Sequence, residues 1–401
     1  MIKMDKSVDL FIGTDAEDDS ETYIDGSHSR AVFICGKRGS GKSYSMGDVM
    51  EEVTDHTDNV VPLVVDPMGI YWTMVEGNEE QQDLLWNYGL QTQSYDVNLL
   101  VPGDPSTRYG DDILREMKRR GLEVSSVRIN PSDISPDGWC DRFDLNINKP
   151  MGITLYRAIR DLSRQHRDEF YLDDIISSVE DDANANERTQ EALLNRLEMA
   201  RDWDLFSTSY EPIWDRLDEN SVNVLDLSII EPGKYGLRNL VVSVLTRDLF
   251  NRRIEARKRE ELNIGVDIPK VWLFIDEAHN FVPSGQSSLS KDVLIRWVKE
   301  GRQPGVSITV ATQQPSAIDH EMLSQCDVIL CHKITTREDI KEMNRLSQDY
   351  MGSELKTYIQ KLDRVGEAVY VDDEDESVSI VQMRPRRSRH ELHAARVRRR
   401  D

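Results

Sequence analysis

Ala31-Val32-Phe33-Ile34-Cys35-Gly36-Lys37-Arg38-Gly39-Ser40-Gly41-Lys42-Ser43 is the stretch that decides the fold. A short apolar run of β-favouring residues gives way to a glycine-rich turn. Met46, Val49 and Val53 then mark one face of a helix. Gly36 to Ser43 fits G-x-x-x-x-G-K-[ST] between a strand and a helix, the context that motif needs. Gly36, Gly39 and Gly41 allow a tight turn whose backbone N–H groups point inward at phosphate oxygens. Lys37, Arg38 and Ser40 complete that cradle, and the helix beginning near Lys42 adds the positive end of its dipole. Lys42 is expected at the β- and γ-phosphates and the Ser43 hydroxyl at Mg²⁺. The stretch therefore reads as a site for a nucleoside triphosphate.

Outward from this loop, composition sets bounds. The chain has 401 residues, 38% hydrophobic and 31% charged, enough for two or three domains and a large core. No apolar run approaches the roughly 20 residues of a membrane span, and the first nine residues lack the apolar segment of a secretory signal. Cys35, Cys140, Cys326 and Cys331 lack metal-ligand spacing and read as reduced thiols of a cytoplasmic protein. With 73 acidic and 50 basic residues the net charge is −23. Such a surface repels DNA unless basic groups line a particular channel. It suits a host with high internal salt, where charges are screened over about 3 Å near 1 M.

Residues 1–30 offer two short strands, Leu10–Gly13 and Thr22–Gly26, as an arm rather than a domain. Residues 31–150 read as the first part of an α/β core. Within it Val60–Val65 is a strand closing in Asp66-Pro67-Met68-Gly69, where Asp66 is either a site carboxylate or a turn cap. Residues 151–220 read as a helical insertion, with Leu155, Ile159 and Leu162 on one face. Residues 221–383 return to the core. There Lys270–Ile275 is a buried-type strand ending in Asp276-Glu277-Ala278-His279. An apolar strand followed by Asp-Glu is what a Walker B element needs. Asp276 would hold the Mg²⁺ shell and Glu277 would deprotonate the attacking water. The strand Val306–Ala311 ends in Thr312-Gln313, a polar pair suited to sensing the γ-phosphate. Residues 384–401 form a basic tail, either a solvated end or a site for a polyanion or a neighbouring subunit.

In this order the pieces resemble the HerA/FtsK superfamily of ring-forming, DNA-translocating ATPases, and within it the archaeal HerA-like proteins, here of haloarchaeal character. The matching residues are GKRGSGKS (36–43), DPMG (66–69), NVLDLS (223–228), FIDEAHNFVP (274–283), EGRQPGVS (300–307) and ATQQPS (311–316). The resemblance implies a RecA-like P-loop NTPase core, with a central, mostly parallel sheet and a helical insertion. It implies ATP and Mg²⁺ as ligands, with Lys42 and Ser43 at the nucleotide. Asp276 and Glu277 would be the metal and base carboxylates, and Gln313 the sensor. Arg302 matches an arginine near the γ-phosphate, and its place beside the Walker B element suggests action within its own subunit. Arg30 matches one offered to the neighbour's nucleotide. A hexameric ring acting on double-stranded DNA follows, with a NurA-type nuclease or other effector as partner. The N-terminal β-barrel of HerA proteins is expected to be missing, because 30 residues precede the phosphate-loop strand. Net charge confines DNA contacts to phosphates inside the ring, and the loop Pro283–Lys291 is their first candidate.

Three other readings share parts of this pattern. A conjugation- or secretion-pore ATPase has the same core. A DEAH-type RNA helicase shares the letters Asp-Glu-Ala-His but needs a second lobe after residue 316. A non-catalytic nucleotide-binding protein has no need of the pair Asp276 and Glu277.

Overall fold

The computed structural model describes residues 8–166, 169–208, 212–232, 236–265, 268–350, 355–375 and 377–390. Twelve strands form one sheet. They are β1 (Asp9–Asp15), β2 (Glu21–Asp25), β3 (Ala31–Cys35), β4 (Val60–Asp66), β5 (Val97–Pro102), β6 (Glu123–Val127), β7 (Val222–Asp226), β8 (Lys270–Ile275), β9 (Ser307–Thr312), β10 (Val328–His332), β11 (Glu367–Asp372) and β12 (Ser377–Met383). Their spatial order is β2-β1-β12-β11-β10-β3-β9-β8-β4-β7-β5-β6. From β10 to β6 every pairing is parallel; from β10 back to β2 every pairing is antiparallel. The fold is the expected α/β core with a mostly parallel sheet. The two N-terminal strands extend that same sheet through β12. The described strands form a single sheet, so among these residues there is no second lobe of the kind a DEAH-type helicase uses.

Central strands of a parallel sheet are covered on both faces, which explains why β3 is apolar throughout. Phe33 and Cys35 face one core, shared with helices Pro136–Arg142, Pro150–His166, Leu237–Glu261 and Lys291–Glu300. Val32 and Ile34 face the other, where Met46, Val49, Met50 and Val53 of helix Lys42–His56 pack. Helices Pro150–His166, Leu172–Glu180 and Glu187–Arg201 lie between β6 and β7 in the chain and bury Leu155, Ile159, Ile175 and Leu197. Pro62 interrupts the N–H row of the central strand β4. The β4–β7 ladder starts one residue later, at Leu63↔Asn223, and the Asn223 amide donates to the Pro62 carbonyl at 3.2 Å.

The segment that begins the basic tail is not a tail. Residues 384–390 run across helix Lys42–His56, with Arg384 and Arg386 fully buried. Arg384 pairs with Glu51 and Glu52, both at 3.0 Å, and donates to the Phe11 carbonyl. Arg387 pairs with Glu52 at 2.6 Å and Asp55 at 2.9 Å. A Cβ on Gly47 would lie 2.4 Å from Cζ of Arg386, so a glycine in mid-helix admits this guanidinium. The physical reason is local compensation. A helix carrying Asp48, Glu51, Glu52 and Asp55 cannot be covered unless cations come with the cover. Residues 391–401 of the expected tail lie outside the described residues.

Removing one partner of such a buried network leaves charge uncompensated. Arg384→Met is therefore expected to lower unfolding stability by about 3–5 kcal/mol. Arg387→Met, at the rim of the network, is expected to cost less. Urea denaturation of both variants checks the order, and equal small losses would show that the strap carries little of the stability.

Candidate functional site

Parallel pairing brings the carboxyl ends of β3, β9 and β8 side by side, with Cys35 opposite Thr312 and Val310 opposite Ile275. The phosphate loop leaves the first of these strands, Gln313 follows the second and Asp276-Glu277 the third. Gly39 and Gly41 adopt φ of 75° and 114°, conformations that L side chains rarely take. The backbone N–H groups of Arg38, Gly39, Gly41, Lys42 and Ser43 donate to no other described residue, whereas those of Gly36 and Lys37 bond Thr312 and Lys333 carbonyls. Lys42 is buried, and its ammonium has no hydrogen bond or ion pair within the described chain. A nest of free donors beside a buried, unpartnered cation fits a polyphosphate. The Ser40 hydroxyl is likewise buried without a partner.

Ser43 Oγ donates to Asp276 Oδ2 at 3.0 Å, so the two expected metal ligands already touch. Burial beside Glu277 pushes the Asp276 carboxyl above its ordinary range. Oxygen donors of this kind suit a hard divalent cation, and the arrangement fits Mg²⁺. Glu277 is held in the left-handed region, φ 49° and ψ 45°, uncommon for a residue with a side chain. One of its carboxylate oxygens accepts from Gln313 Nε2 at 2.5 Å. The other, Oε2, is buried without a hydrogen bond, with His279 Nδ1 3.4 Å away. The carboxylate oxygen without a hydrogen bond is thus left with lone pairs able to accept a proton.

Several residues of this cluster carried no sequence signal. Tyr71 OH lies 3.3 Å from both Asp276 Oδ2 and the Ser43 carbonyl, bridging the loop and the acid. His279 Nδ1 sits 3.1 Å from Thr312 Oγ1, and burial holds its pKa below the usual histidine value. His332 closes the loop from behind. Its Nδ1 donates to the Glu367 carbonyl and its Nε2 accepts from the Ser45 hydroxyl, both at 2.9 Å. Asp66 proves to be the cap: its carboxylate accepts backbone N–H bonds from Met68, Gly69, Ile70 and Tyr71. Burial, with Asp226 and Asp276 nearby, pushes it up to about 7 against those donors.

Three expected residues lie elsewhere. Arg30 is buried at the amino end of β3, paired with Asp25 at 2.9 Å and Glu374 at 2.5 Å. Arg302 is exposed just before the amino end of β9 and shares a cavity of about 370 Å³ with Arg30, Lys299 and Asp327. The suggested action of Arg302 within its own subunit is therefore corrected. The six residues of β9 place about 20 Å between it and the phosphate loop. Lys291 is already engaged, by Asp319 at 2.6 Å and by the Pro283 and Gln286 carbonyls. It fastens the loop proposed to meet DNA instead of presenting a free charge.

Sheet, loop and paired carboxylates together define the class of P-loop ATPases. Within that class the chain belongs to the family described as "Helicase HerA, central domain", which matches residues 10–249, more than half of its length. That match takes in the phosphate loop and stops before Asp276. The chain is 28% identical over 203 residues to the DNA double-strand break repair helicase HerA of Saccharolobus solfataricus, covering 46% of this chain and 40% of that one. It is 24% identical over 273 residues to a probable helicase of Methanocaldococcus jannaschii, covering 64% and 51%. A probable DNA double-strand break repair helicase HerA of the same organism is 22% identical over 88% of this chain and 72% of its own. The chain thus spans 40% and 51% of the length of the first two of these relatives. In fold it resembles VirB4 of Thermoanaerobacter pseudethanolicus, with a TM-score of 0.60, 14% identity and coverage of 93% and 96%. It also resembles the bacterial conjugative coupling protein TrwBdeltaN70, with a TM-score of 0.50, 12% identity and coverage of 92% and 88%. No helix among the described residues is long and apolar enough to cross a membrane.

Neutral His332 gives the site a pH signature. Burial lowers its pKa from 6.5 to about 4, so its contribution is complete above pH 6.5 and lost as pH falls toward 4. At 1.36 kcal/mol per unit this amounts to about 3 kcal/mol. His390, lowered to about 3 by burial and Arg386, acts in the same direction. Denaturation between pH 7 and 4 is expected to show a shallower acid slope in His332→Gln than in the wild type. Equal slopes would place the acid sensitivity elsewhere.

Proposed function

We propose that this chain is a Mg²⁺-dependent ATPase that works as a ring motor on double-stranded DNA. The observation that carries the reading is the cluster Lys42, Ser43, Asp276, Glu277 and Gln313 at one rim of the sheet. In this reading the loop N–H groups and Lys42 bind the phosphates, and Ser43 and Asp276 hold Mg²⁺. When bound, that ion neutralises charge on the phosphate oxygens. Glu277 Oε2 takes the proton of the attacking water, and Gln313 orients Glu277 through the other oxygen.

The segments that follow β8 and β9 at this rim, residues 276–280 and 313–317, carry no arginine or lysine. Arg302 stands exposed at the opposite rim, where a neighbour's phosphate loop can meet it. An arginine supplied across an interface is worth about 10³–10⁵ in rate. A ring, hexameric by family resemblance, meets this geometry, with ATP between subunits. Arg302 suits the role better than Arg30, which is occupied by Asp25 and Glu374. DNA is then gripped inside the ring through phosphates, consistent with a net charge of −23. The place of action is the cytoplasm, and the helicase names of the relatives motivate the choice of DNA.

ATP hydrolysis measured with and without duplex DNA at several KCl concentrations, alongside the mass of the assembly, tests the reading. Stimulation by duplex of a multi-subunit assembly is expected. A fully active monomer indifferent to DNA would refute it. In a mixing experiment, Arg302→Ala and Lys42→Ala subunits are each expected to be nearly inactive alone. Together they should regain part of the activity, since some interfaces then pair an intact loop with an intact arginine. A mixture that assembles yet stays inactive would exclude Arg302 as the shared residue.

A further inference from the structure

The catalytic groups all lie to one side of β3. Gln313 follows β9 and Glu277 follows β8, and both strands sit on the same flank of the phosphate-loop strand. A triphosphate held with its γ end toward them points its nucleoside away from β9 and β8, and β10 lies on that flank. There the Lys37 N–H donates to the Lys333 carbonyl at 2.9 Å, tying the loop to the end of β10. Lys333 Nζ in turn donates to the Leu362 carbonyl at 2.7 Å. This links the phosphate loop to the turn 362–366.

That turn is rigid. The Glu367 carboxylate accepts the N–H groups of Asp363 and Arg364 at 2.8 and 2.9 Å. Gln382 Nε2 donates to the Val365 carbonyl at 3.3 Å, and Gly366 turns the chain at φ 87°. At its tip Val365 is 87% exposed, the most exposed of the large apolar residues among those described. A solvent-exposed apolar side chain on a well-fastened turn beside an anion site gains from being covered by an apolar ligand face, and exposed cations stand around it. Lys333 and Arg364 are both exposed there.

We propose that the turn 362–366 is the nucleoside subsite of the ATP site, with Val365 packing on the face of the nucleobase and Lys333 flanking the sugar–phosphate end. The inference rests on the triphosphate reading of Gly36–Ser43. Two ligands separate the two ideas: Mg²⁺-ATP carries a nucleoside, and Mg²⁺-tripolyphosphate carries phosphates alone. Titration calorimetry on the full chain is expected to show Val365→Ser binding ATP about tenfold more weakly. Its affinity for tripolyphosphate should stay within twofold of wild type, and Val365→Leu should keep wild-type affinity for both. Unchanged ATP affinity in Val365→Ser, or equal loss for both ligands, would overturn the subsite. So would a Val365→Ser variant whose only change is a smaller assembly mass, which would mark the turn as a subunit contact. If the wild type bound neither ligand, the phosphate-loop reading itself would fail instead.

Discussion

Parallel pairing of three neighbouring strands, β3, β9 and β8, is the constraint on which the rest depends. Each leaves the sheet at the same rim, and the ladder fixes their relative heights through Cys35↔Thr312 and Val310↔Ile275. The loop after one strand, the amide after the next and the carboxylates after the third therefore meet without any adjustment. Ser43 touches Asp276 and Gln313 touches Glu277 because backbone hydrogen bonds set the spacing. A slip of one residue in either pairing would turn every side chain to the opposite face and take these groups apart.

The helix behind the loop brings the second constraint. Lys42–His56 carries acid on the side turned away from the sheet, and three of its carboxylates are buried. Arg384, Arg386 and Arg387 enter from the end of the described chain to balance them. The same segment ends on His390, whose ring stands edge-on to Tyr44 at 5.6 Å, one residue beyond Ser43. Stability of the loop helix and the position of the strap are thus one electrostatic problem.

Much of this was legible in the sequence, for reasons that can be stated residue by residue. The strand Ala31–Cys35, the loop Gly36–Ser43 and the helix after it show periodicity and glycine placement within a short window. So do Lys270–Ile275 with Asp276-Glu277, and the helix Lys291–Glu300. What local pattern does not carry is distance between parts far apart in the chain. Arg302 follows the helix after Glu277 in sequence, yet a helix running back along the sheet returns the chain to the amino rim before β9 begins. Arg384 and Arg386 read as tail because their partners lie more than three hundred residues earlier. Tyr71 and His332 have no motif of their own; their roles come from which strand ends meet. Asp66 left two readings open, and only its four N–H donors decide for the cap.

In the proposed mechanism Glu277, and not merely the phosphate loop, makes this site hydrolytic. Glu277→Gln keeps size and a polar contact with Gln313 but cannot take a proton. The decisive measurement is ATP binding and phosphate release on the same sample of this variant. Wild-type affinity for ATP is expected, with hydrolysis reduced by about 10²–10⁴-fold. Turnover at the wild-type rate would contradict it.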